Sequence, residues 1–112
     1  MSLIASRNNP RVRRWRALTH DARERRKHRR AMIEGENLVL AFLQSGKAVE
    51  SLILSKTGSS HAAFIGLARQ SGKPPTVLAD PVFCWIAATE APAGIAAEIA
   101  LPRSGPDLAT SA

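Results

Sequence analysis

The sequence predicts an α/β domain, a compact three-layer α/β/α sandwich with a largely parallel sheet. Two observations predict it. Stretches with helical spacing alternate with short apolar runs along the chain, and each boundary carries a cap, proline or glycine signal. In addition, 112 residues with 45% hydrophobic content can bury one core without disulfides or metals.

Each element follows from local chemistry. Asn9-Pro10 marks a helix start: Asn9 is a good N-cap, and Pro10 lacks only an N–H that the first helical turn does not use. Val12, Trp15, Leu18 and Ala22 then form an apolar stripe. Continuing that stripe would bury Arg25, Arg26 and Arg29, so the helix must break or leave the core, with its cations outward. Ala31-Met32-Ile33 reads as the first strand, ended by Glu34-Gly35, where Gly35 supplies a backbone conformation that a larger residue resists. A helix from Glu36 to Ser45 turns Leu38, Val39, Phe42 and Leu43 inward, and Gly46 closes it. Val49 to Ser55 is a strand; Ser59 or Ser60 caps a helix carrying Phe64, Ile65, Leu67 and Ala68 and ending at Gly72. After Pro74-Pro75 comes the strand Thr76–Ala79, then Asp80-Pro81 as a second cap-plus-proline start for a short helix with Val82, Phe83, Trp85 and Ile86. Thr89 to Gly94 is a loop and Ile95 to Leu101 the last strand. The domain is expected to span residues 1–102, with 103–112 a linker or ragged end rich in turn residues.

Charge is distributed unevenly. The net charge is +7, yet residues 1–30 hold eleven Lys or Arg against Asp21 and Glu24, while the other 82 hold five against seven acids. Such polarity reads as a footprint for a polyanion, against the alternative of a solvated helix kept soluble by arginine. Ten of the eleven cations are Arg, which pairs bidentately with phosphate, and this favours nucleic acid. Aromatic content of 4% disfavours binding mainly by base stacking. Cys84 is the only cysteine, so no disulfide framework exists; among apolar neighbours it reads as a core filler. No apolar run approaches membrane-span length and no signal-peptide pattern opens the chain, so a cytoplasmic protein without membrane contact is expected.

Other chemistry is not evident. His20, His28 and His61 lie apart from one another and from metal-ligand spacing, and the hydroxyls near His61 read as caps, so no metal site or catalytic residue is expected. The glycines are isolated, leaving no phosphate-cradling loop. Glu34 reads as an ion-pair partner or a cap to the following helix.

Three segments taken in order point further: Ile4-Ala5-Ser6-Arg7-Asn8-Asn9-Pro10, Arg26 to Gly35 ending Met-Ile-Glu-Gly, and Thr89-Glu-Ala-Pro-Ala-Gly-Ile95. Together, over residues 3 to about 102, they resemble the N-terminal substrate-binding domain of the SpoU (TrmH) family of RNA 2′-O-ribose methyltransferases. The resemblance implies a fold like the ribosomal proteins that bind kinked RNA, and a role in recognising rRNA or tRNA. It implies Arg7, Asn9, Arg11, Arg14, Arg25, Arg26, Arg29, Arg30 and Glu34 as the RNA-binding set, with Thr89, Pro92 and Gly94 as a shaped loop. Where the family commonly has Pro-Gln-Gly, this chain has Pro92-Ala93-Gly94, so an amide is missing. The family's knotted C-terminal domain, which binds S-adenosylmethionine, supplies the catalytic arginine and usually forms a homodimer, has no counterpart among these 112 residues. The chain is therefore expected to bind no cofactor and transfer no methyl group alone. The rival readings are a stand-alone, ribosomal-protein-like RNA binder and a module that mainly contacts a protein.

Overall fold

Asn9 and Pro10 start a helix as expected: the Asn9 side-chain oxygen accepts the Arg11 backbone N–H at 2.9 Å. The computed structural model describes residues 3–102; the expected linker 103–112 lies outside them. This first helix, α1 (Pro10–His20), buries Val12, Trp15 and Leu18. The chain then breaks at Asp21, whose carboxylate caps the short helix α2 (Ala22–His28) through the Arg23 N–H. Ala22, placed in the apolar stripe by its spacing, is exposed in the new helix, because the break re-aims the chain. α2 buries no residue at all.

The described residues form a sheet of five strands in the order β1-β4-β3-β5-β2, namely β1 (Leu3–Ile4), β4 (Thr76–Leu78), β3 (Ser51–Ser55), β5 (Ile95–Ala100) and β2 (Arg30–Glu34). β1, β4 and β3 pair in parallel, whereas β5 runs antiparallel to both β3 and β2. The sheet is thus mixed: a single reversed strand sits inside it, because β5 starts beside the end of β2, where the Gly35 N–H bonds to the Ile95 carbonyl, and runs back along it. β1 escaped sequence reading, since two residues carry no alternation.

Helices cover both faces. α1 and α5 (Asp80–Ile86) pack one face through Val12, Trp15, Val82, Phe83 and Ile86 against Ile53, Leu78 and Ala96. α3 (Glu36–Gln44) and α4 (Ala62–Ser71) cover the other with Val39, Phe64, Leu67 and Ala68 against Leu52, Leu54, Ile95 and Ala97. Fully burying each such Leu, Ile, Val or Phe contributes roughly 1.5–3 kcal/mol.

Several local expectations change. Leu38 is 56% exposed, because the first turn of α3 overhangs the open edge of β2. Ile65 is also exposed, lying beside rather than on the Phe64-Leu67-Ala68 face of α4. Ser59 and Ser60 do not cap α4; they form a 3-10 turn, and His61 takes the N-cap position without a side-chain bond. Asp80 is not a cap either: Ala79 occupies that place, while the Asp80 carboxylate accepts the N–H and hydroxyl of Thr57. Those two bonds hold the Asp80 carboxyl below its ordinary range. Cys84 is exposed, because Val82, Phe83 and Ile86 take the inner face of α5 and turn it outward. No described helix is long and apolar enough to cross a membrane.

Candidate nucleic-acid interface

The basic segment divides into cations that hold the fold and cations that do not. At its centre is a residue to which sequence reading assigned no role. Glu98, in the middle of β5, is 1% exposed. One carboxylate oxygen accepts the Trp15 Nε1–H at 2.9 Å and an Arg14 N–H at 3.0 Å, and the other accepts an Arg30 N–H at 3.0 Å. Burial pushes the Glu98 carboxyl up, but the Trp15 bond with the charges and bonds of Arg14 and Arg30 outweighs it and holds the group below its ordinary value. A lone acid within Ile95-Ala-Ala-Glu-Ile-Ala100 was the available signal, since a charge in a buried strand needs partners. Arg30 also reaches Glu50 at 3.5 Å.

The other expected RNA-binding residues are placed as follows. Arg11 donates to Thr76 Oγ1 at 2.9 Å and lies over the Trp15 ring at 5.0 Å. Arg7 lies 5.3 Å from the Trp85 ring centre, and Arg16, which was not in the expected set, lies 4.4 Å from it and donates to the Trp85 carbonyl. Arg25 folds back onto α1, donating to the Leu18 and Thr19 carbonyls at 2.8 and 3.1 Å, where the helix end leaves acceptors open. Arg29 ends α2 in the left-handed conformation, φ 53°, and its carbonyl accepts the Leu101 N–H. Asn9 is occupied as the α1 cap. Arg26 is exposed, and it is joined on the outer surface of the two helices by Arg13, Arg23 and Lys27; none of these four side chains has a hydrogen bond or ion pair among the described residues. Of these four only Arg26 belongs to the expected RNA-binding set, because spacing separates core from surface but does not show which surface cation meets a carbonyl.

The acid and the loop come together as one structural device. Glu34 is neither an ion-pair partner nor a cap: its Oε2 accepts the Ala88 N–H at 2.7 Å, and the next residue, Gly35 at φ 97°, donates to the Ile95 carbonyl at 3.0 Å. Thr89 to Gly94 is therefore clamped at both ends to the end of β2. Gly94, at φ 104°, packs so closely that a Cβ there would lie 2.7 Å from Ser55 Oγ. Thr89 and Pro92 lie along this loop, Thr89 exposed and Pro92 half-buried. A groove of about 470 Å³ runs between the loop, the end of α1 and the start of α3. Among the described residues no group of three His, Cys, Asp or Glu could hold a metal ion.

Comparison with known proteins agrees with this architecture. Residues 9–97 match the family model described as the MRM3-like substrate binding domain. An RNA 2′-O-ribose methyltransferase superposes with a TM-score of 0.74 at 23% identity, over 91% of this chain and 38% of its own length. The SpoU methyltransferase AviRb from Streptomyces viridochromogenes, solved with AdoMet, gives 0.78 at 19% identity, covering 89% and 38% respectively. An rRNA methyltransferase from Sinorhizobium meliloti gives 0.68 at 22%, covering 91% and 37%. These likenesses establish a shared fold, and the chain spans well under half of each neighbour. No curated protein matches the chain.

Proposed function

Since the chain belongs to the family of MRM3-like substrate-binding domains, we propose that it holds structured rRNA or tRNA for a SpoU-type 2′-O-ribose methyltransferase. The observation that carries this reading is the set of exposed cations on α1 and α2 that have no hydrogen bond or ion pair among the described residues, Arg13, Arg23, Arg26 and Lys27, on helices fixed to the domain by their neighbours. Arg23, Arg26 and Lys27 stand on α2, which fully buries no residue and is held to α1 through Arg25. Such a surface repels itself until phosphate lies against it, and neutralising phosphates releases counterions.

Arg7, Arg11, Arg14, Arg25 and Arg30 then act mainly as scaffold, keeping their remaining N–H groups for the rim of the site. Methyl transfer belongs to a separate domain that binds S-adenosylmethionine and forms a homodimer in the cytoplasm. The lengths of the neighbours, more than twice that of this chain, support that division. Fluorescence anisotropy with a structured RNA across a salt series tests the reading. The logarithm of affinity should fall linearly with the logarithm of salt, with a slope of about −3 or steeper for four or more phosphates. A flat response, or equal preference for heparin, would refute it.

A further inference from the structure

The groove beside the basic helix has a shape and a lining that bare phosphate contact does not use. It straddles the outer edge of β2, where no described strand pairs, and its walls are Ala31, Ile33, Leu38 and Ala88. Leu38 is 56% exposed there, the most exposed large apolar side chain among the described residues. The register explains what the edge offers. Gly35 N–H bonds to Ile95 and Leu101 N–H to Arg29, so the odd-numbered residues of β2 form the hydrogen-bonded pairs with β5. The backbone N–H and carbonyl of Met32 must therefore point away from the sheet, toward the open side. At one end stand Thr89 and Glu34, whose second carboxylate oxygen has no hydrogen bond among the described residues. Arg25 borders the groove, and the cations of α2 follow directly from it.

We propose that this groove takes an unpaired nucleobase bearing an exocyclic amino group, turned out of the RNA whose backbone runs along α2. The inference rests on the RNA-binding reading above. Charge favours this occupant: a polyanion drawn to α2 passes the mouth of a slot that is apolar inside and lined with acceptors at its edge. Unstacked bases from loops and bulges are what proteins read in RNA, through apolar contact and the base edge. Here Glu34 and the Met32 carbonyl would accept from the amino group, while Met32 N–H would donate to a ring nitrogen or carbonyl. Among the described residues no aromatic ring lines the groove, so the aliphatic walls take the place of stacking.

The test uses labelled hairpins that differ only in one stem position: fully paired, with a bulged adenosine, or with a bulged uridine. The bulged-adenosine hairpin should bind at least about fivefold more tightly than the paired one, with uridine nearer the paired value. Leu38→Asp adds a carboxylate to the groove at a first-turn helix position that tolerates acids. It should abolish the preference while leaving the paired hairpin within about twofold, as additive surface changes do. Ile65→Asp, exposed on α4, should leave the preference intact. Thermal melts of both variants report whether the fold is kept. Equal binding of all three hairpins would overturn the base site and leave the RNA-binding reading standing; no binding to any would remove both. A preference that survives Leu38→Asp in a folded variant would also overturn it. So would concentration-dependent dimerisation lost in Leu38→Asp without change in RNA affinity, which would assign the edge to a second copy.

Discussion

α1 and α2 are consecutive and almost equally rich in arginine, and they differ in what most of their cations do: Arg13 is the exception on α1 and Arg25 on α2. α1 buries Val12, Trp15 and Leu18, and its Arg11, Arg14 and Arg16 end on Thr76, Glu98 and Trp85. α2 buries nothing, and Arg23, Arg26 and Lys27 end in solvent. The difference teaches that a basic sequence is not itself a binding surface. A guanidinium already bonded within the protein contributes to stability first, whereas one without a partner is available to a ligand.

The largest effect should come from the centre of the scaffold. Glu98→Ala leaves Trp15 Nε1–H buried without an acceptor and Arg14 and Arg30 without their shared anion. Because the arginines are 43% and 37% exposed, water recovers part of the loss. We expect roughly 2–3 kcal/mol of destabilisation, read as a lower urea midpoint. A midpoint within experimental scatter of wild type would erase the distinction between the helices.

Changing Arg23, Arg26 and Lys27 together to Ala should do the reverse. RNA affinity should fall more than about tenfold at low salt, and the salt slope should shrink by about 2–3, while the urea midpoint stays nearly fixed. If the triple variant loses stability and keeps its salt slope, α2 is scaffold and the comparison fails.

Arg16→Ala is a smaller probe of the anchored side. It removes a cation from the Trp85 ring and a donor from the Trp85 carbonyl, for about 1 kcal/mol, with the RNA salt slope changed by less than one. Unchanged stability with a much weaker slope would move Arg16 to the RNA side.

Acid sharpens the same contrast more gradually. Glu98 has a lower pKa folded than unfolded, so its contribution is fully present above the ordinary glutamate value of about 4.3 and is lost as pH falls through the lower folded value. Stability of wild type should therefore drop below about pH 4 by more than that of Glu98→Gln. Parallel pH curves would show that the carboxylate is not held as its bonds indicate.

Residue types and spacing alone determined much of this molecule. Asn9-Pro10, Gly35, Gly46 and Gly72 punctuate the chain because their conformations are local properties, and the α1 stripe follows from helical period. The break before α2 was legible too, since continuing that stripe would have buried arginines. Order and motif spacing were enough to resemble the right family. Only the tertiary structure decided which arginines were taken. Glu98 is 84 residues from Arg14 and 68 from Arg30, and nothing local announces such a meeting. The reversal of β5 is likewise decided by pairing across the sheet, and alternation along β5 puts Glu98 on the same face as Ala96, under α1. Leu38, Ile65 and Cys84 look like core residues by type, but exposure depends on what stands opposite, and at the edge of β2 nothing described does. Local chemistry sets conformation within a few residues; the partner of a charge, and the cover over an apolar side chain, are set by contacts between segments far apart in the chain.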